Sequence, residues 1–98
     1  MLSIELQLVL HPEIIDEFLT GIAPQELPAT RSFEGNDGLA LYQDKADPRR
    51  VSLQMRWRTL EDFDRYLQWR TETGMIARIY QMSAKPPQWA IRNETLRL

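Results

Sequence analysis

Leu2, Ile4, Leu6, Leu8 and Leu10 stand at every second position, with Ser3, Glu5, Gln7 and Val9 between them. A strand turns successive side chains to opposite sides, so this run reads as a strand with one apolar face. Such a strand cannot satisfy itself. It needs helices over the apolar face, while the other face is either wet or paired. A chain of 98 residues without a long spacer is a single domain spanning 1–98, and a core of that size gains from a partner subunit.

The remaining punctuation is regular. His11-Pro12 opens a helix, since Pro suits the first helical position, and Ile14, Ile15, Phe18, Leu19 and Ile22 form its apolar stripe. Pro24 and Pro28 interrupt that helix, with a further helical turn between Gln25 and Ser32. Gly35-Asn36-Asp37-Gly38 suits tight turning and leads to a second strand over roughly Leu39 to Gln43. Asp44 to Arg50 reads as a hairpin loop, and Val51, Leu53, Met55 and Trp57 alternate with Ser52, Gln54, Arg56 and Arg58 as a third strand.

Thr59 caps the next helix through its hydroxyl, with Asp62 at the third helical position able to reach back to it. Leu60, Phe63, Tyr66 and Leu67 make the buried face of that helix. Gly74 breaks it; Met75, Ile76, Ile79, Tyr80 and Met82 mark a second short helix, which Lys85-Pro86-Pro87 ends; and Gln88 to Leu98 reads as a last strand. Strand, helix, strand, strand, helix pair and strand give an α+β, ferredoxin-like split β-α-β fold with helices on one face of a four-stranded antiparallel sheet. Glu5, Gln7, Val9, Gln54, Arg56 and Arg58 fall on the other face.

Composition narrows the function. Twelve Lys and Arg against fourteen Asp and Glu leave a net charge of −2, so no positive field draws in phosphate backbones and nucleic acid is not the expected partner. Cys is absent, which removes disulfides, thiol nucleophiles and thiolate metal sites and accords with the cytoplasm. The N-terminal residues lack the basic segment and continuous apolar core of a signal peptide, and no apolar run approaches a membrane span of ~18 residues, so a protein that is not exported is expected. The glycines build no phosphate loop and the serines no nucleophile elbow, and metalloprotease and calcium motifs are missing.

Three pieces then resemble the antibiotic biosynthesis monooxygenase family, whose members are dimeric α+β barrels with two ferredoxin-like sheets face to face. Ala29-Thr30-Arg31 followed by Phe33-Glu34-Gly35-Asn36-Asp37-Gly38 resembles the family's stretch between first helix and second strand. Asp47-Pro48 resembles its hairpin, and Trp57-Arg58-Thr59-Leu60-Glu61 its strand-to-helix signature. The resemblance implies a homodimer with a small-molecule pocket between sheet and helices. In the haem-degrading branch a ligating His falls where this chain has Ile76, a Trp falls on Tyr66 and an Asn near Gln7, so haem chemistry is not expected. In the quinone-forming branch Trp57 matches, while an Asn falls on Leu53 and a Tyr on Phe63; Arg78 lies beside that branch's Arg.

Four residues follow as candidates for catalysis. Trp57 can stack on a planar ligand or serve as a core aromatic at the sheet's edge. Tyr66 can donate a hydrogen bond, lose a proton, or simply pack. His11, the only His, is a potential base but more simply a helix-entry residue. Arg78 can offset negative charge on an anionic substrate. Arg49-Arg50, Arg56 and Arg58 are better read as solvated or subunit-facing. The resulting expectation is a monooxygenase-like homodimer without metal or flavin, acting on a small planar aromatic or enol. Its alternative is a non-catalytic dimeric module of the same fold that binds a small molecule or a partner.

Overall fold

The computed structural model describes Met1–Leu98, with strands β1 (Leu2–Val9), β2 (Asn36–Gln43), β3 (Arg50–Trp57) and β4 (Gln88–Asn93) in one antiparallel sheet of order β2-β3-β1-β4. This is the ferredoxin-like arrangement that the alternation and element order predict. Leu2 pairs with Trp57, Leu6 with Leu53 and Leu8 with Val51. Directly opposed residues share a face, so this register gathers the apolar residues of β1 and β3 beneath the helices and leaves Glu5, Gln7, Ser52 and Gln54 on the other side.

The first helical segment differs from expectation. It does not stop at Pro24 but runs as a 3-10 turn (Pro12–Ile14), a short α-turn (Ile15–Glu17), a π-helical turn (Phe18–Ile22) and then α1 (Ala23–Ser32), which contains Pro28. The Ala23 N–H donates to Phe18 O in the wider π register. The loosened turn therefore immediately precedes Pro24, a residue with no N–H to give. Phe18 and Ile22, on that turn, are buried, and their packing outweighs the hydrogen bonds that the prolines remove.

Other boundaries move for identifiable reasons. The chain turns at Gly35, whose φ of 92° lies in the left-handed region, and β2 already begins at Asn36, with a bulge between Asn36 and Gly38. Thr59 caps α2 (Leu60–Glu72), its Oγ1 accepting from Asp62 N at 3.1 Å. The Asp62 carboxylate does not complete a reciprocal box; it accepts from Arg65 Nη2. Leu60 is exposed rather than part of the buried face, which consists of Phe63, Tyr66 and Arg70 with Leu67 half-buried. After Gly74, α3 (Met75–Met82) presents Met75, Ile76 and Ile79 half-buried, whereas Tyr80 faces solvent. Residues 94–98 leave the sheet, so the last strand is shorter than the sequence suggests.

The core divides in two along the sheet. Leu6, Leu8, Leu10, Phe18, Ile22, Ala23, Val51 and Met82 form one cluster under the first helical segment. Ile4, Met55, Trp57, Phe63 and Tyr66 form the other, under α2.

Candidate active site

An apolar cavity of about 50 Å³ lies where the two clusters meet. Fifteen of its seventeen lining residues are hydrophobic: the sheet contributes Leu6, Leu53 and Met55, the first helical segment Phe18 and Ile22, and α3 Met75, Ile76 and Ile79. Its polar groups sit together, from Glu26 of α1 and Tyr66 and Arg70 of α2. Broader depressions on the open face of the sheet, between Gln7, Tyr42 and Ser52 and around Arg56, are lined mostly by polar groups. They offer little of the desolvation that a buried cavity provides.

Arg70 organises the polar corner. Four residues after Tyr66 on the same helical face, its side chain is only 5% exposed. Nε donates to Tyr66 Oη at 3.0 Å, Nη1 to Glu26 Oε2 at 2.9 Å, and Nη2 to Glu26 O at 2.8 Å and Thr30 Oγ1 at 2.9 Å. The guanidinium carbon also lies 4.5 Å from the Trp69 ring centroid, a cation–π contact strengthened by burial.

Tyr66 Oη and Thr30 Oγ1 are 2.7 Å apart, and both accept from Arg70, so one hydroxyl donates to the other, and either can be the donor. Both residues are buried, and of the two only Tyr66 lines the cavity. The apolar chamber thus has one phenolic hydroxyl at its polar corner, backed by a cation.

Of the sequence candidates, Tyr66 alone lines the cavity. Trp57 is 0% exposed, wedged among Phe33, Phe63 and Tyr66 with ring centroids 6.2, 5.9 and 4.9 Å away. It is not among the lining residues, and its indole N–H, like Asn36 Nδ2, is buried without a protein acceptor. Its link to the cavity is the packed face of Tyr66. His11 is half-buried at the helix entrance, its N–H donating to Met82 O at 3.0 Å, and its side chain makes no capping hydrogen bond. Arg78 is exposed on α3. Leu53 and Ile76, the aliphatic residues at family positions for Asn and His, line the cavity themselves. No three His, Asp or Glu side chains converge to hold a metal ion.

Sequence reasoning missed Arg70, Glu26 and Thr30. The available signal was the four-residue spacing of Tyr66 and Arg70 on the helix face that also carries Phe63. Glu26 and Thr30, likewise four apart, lie in the segment where prolines predict an interruption.

Comparison with known proteins places this geometry. No curated protein sequence matches the chain. Among solved structures, a crystal structure of an antibiotic biosynthesis monooxygenase superimposes with a TM-score of 0.85 at 18% identity, covering 98% of this chain and 100% of that one. A conserved protein from Methanosarcina mazei Go1 gives 0.86 at 15% identity, covering 96% and 92%. SnoaB, a cofactor-independent oxygenase from Streptomyces nogalater, gives 0.83 at 12% identity, covering 99% and 95%. At such identities the likeness establishes the fold alone. The family model described as antibiotic biosynthesis monooxygenase, however, matches residues 1–71, which take in β1, the helix with Glu26 and Thr30, β3 with Trp57, and Tyr66 and Arg70 on α2. The chain belongs to the antibiotic biosynthesis monooxygenase family.

Proposed function

We propose that the protein is a cytoplasmic, homodimeric, cofactor-independent monooxygenase acting on a small planar aromatic or enol held in the cavity between sheet and helices. The observation that carries this reading is the pairing of an almost wholly apolar chamber with one phenolic hydroxyl, that of Tyr66, held in place by Arg70 and Thr30. An electron-rich enol or phenol can react with dioxygen without a metal. The reacting carbon gives up one hydrogen and the hydroxyl another, so that one oxygen atom of dioxygen stays on that carbon as a carbonyl and the other leaves with both hydrogens as water. The protein then has to exclude water, align the ring and steady the oxygen on which negative charge develops. Tyr66 donates to that oxygen, Arg70 and Thr30 fix the phenol's direction, and Trp57 backs the Tyr66 ring. His11 and Arg78 have no part in this arrangement.

The cavity is smaller than the ~300–1,000 Å³ usual for ligand sites, so a ring enters by displacing side chains. Those of α3 are suited to this, since Met75, Ile76 and Ile79 line the cavity and are only half-buried. The test is oxygen uptake with a panel of dihydroxyaromatics. Wild-type protein is expected to turn over at least one member, and Tyr66→Phe to lose about a hundredfold or more of that rate, as for a positioned proton donor worth ~10²–10⁴. Uptake unchanged in Tyr66→Phe overturns the assignment. The second reading, a non-catalytic binding module, draws on the aliphatic Leu53 and Ile76 in the lining; it predicts ligand binding across the panel with no oxygen consumed.

A further inference from the structure

We infer that Glu26 sets the charge class of the ligand: the cavity admits a neutral hydroxy- or oxo-substituted ring and refuses a carboxylate, and Glu26 is what enforces the choice. The inference rests on the cavity reading above but not on turnover. A buried guanidinium beside an apolar chamber would by itself be a strong receptor for a carboxylate, which it matches in planar, two-pronged fashion. Here that role is already filled from within the chain. Glu26 Oε2 takes Nη1, and Glu26 O, Thr30 and Tyr66 take three more N–H groups, leaving one of the five guanidinium donors unassigned.

The polar corner is therefore electrically neutral, and the group that Tyr66 turns to the cavity is a hydroxyl. A carboxylate brought into this chamber would lose its hydration and meet no free cation, a cost that apolar contact does not recover. A neutral phenol or ketone loses far less and gains the Tyr66 hydrogen bond. Glu26 keeps 30% of its side-chain surface against 5% for Arg70. It thus sits nearer solvent than the cation it masks, and its replacement by an uncharged side chain exposes a buried positive charge to the cavity.

The experiment measures binding of p-cresol and benzoate, two rings of similar size, by tryptophan fluorescence, since Trp89 lines the cavity. Wild-type protein at pH 7 is expected to prefer p-cresol by at least tenfold. Glu26→Gln should shift that ratio at least tenfold toward benzoate, and the double variant Glu26→Gln, Arg70→Met should return it toward p-cresol. Circular dichroism identifies any variant that fails to fold; should Glu26→Gln not fold, Glu26→Ala takes its place under the same criterion. If p-cresol binds but the wild type shows no preference, or a folded Glu26→Gln leaves the ratio unchanged, the role of Glu26 is overturned and the cavity reading stands. If neither probe binds any form at millimolar concentration, both fall.

Discussion

Arg70 is costly to bury and costly to remove, and this asymmetry governs the site at the residue scale. Its four hydrogen bonds satisfy Tyr66, Thr30 and both the carboxylate and the carbonyl of Glu26, so Arg70→Met leaves several polar atoms without a donor at once. The expected loss is about 2 kcal/mol in chemical denaturation, against a change within ~0.5 kcal/mol for Arg97→Met on the surface. Gly35 is a second position where one atom decides. Its φ is 92°, and a Cβ there would run into the Asp62 side chain at the start of α2, so Gly35→Ala should cost about 1–3 kcal/mol, with a lowered denaturation midpoint as the readout. The two residues differ in how visible they are beforehand. Gly35 announces itself in a Gly-Asn-Asp-Gly cluster. Arg70 does not, because Arg is nearly always exposed, and its burial depends on Glu26 and Thr30 from a helix distant in sequence.

At the scale of elements, the strands were the most legible because a period of two leaves no freedom in register once one face is buried. The Thr59 cap was equally readable, and Thr59→Ala should lower stability by about 1 kcal/mol, seen as a shift in urea midpoint. The helix before β2 was not legible. Local propensity says that Pro24 and Pro28 end it, but the π-helical turn at Phe18–Ile22 and the burial of Phe18, Ile22 and Ala23 carry the backbone through, and with it Glu26 reaches the cavity and Thr30 reaches Arg70 and Tyr66. On the open face of the sheet, hydrogen bonds to Glu5 from Ser52, Gln7 and Gln54 hold its carboxyl below the usual range, aided by Arg92. A depressed folded pKa stabilises above the unfolded value, here near 4.5, and that contribution disappears as pH falls through the folded pKa. Stability should therefore decline on acidification below about pH 4.5, and Glu5→Gln should flatten that decline when denaturation midpoints are plotted against pH.

The whole molecule is a half-covered sheet, and that asymmetry leaves one face open to a second copy. Helices close one face, while the other shows Tyr42, 54% exposed, amid Gln7, Ser52, Gln54 and Arg56. Two broad depressions run across this face, both bordered by Tyr42. The face is not a bare apolar patch: Arg56 is bound by Asp37 and Glu94, and Glu5 by its neighbours across the strands. Its polar groups are thus satisfied within one chain, and a second copy can stack on it without stripping unpaired charges of water. Symmetric pairing would put Tyr42 against the partner's concavity, where a buried aromatic contributes most to an interface. Sedimentation is expected to report about twice the 11.6 kDa of one chain, and Tyr42→Asp to shift it toward the single-chain mass, because each chain would then have to desolvate a carboxylate where it had an aromatic ring. A wild-type mass that stays at one chain up to ~100 μM, a weak threshold for a standard-sized interface, would leave the open face to solvent and the cavity as a property of the isolated subunit.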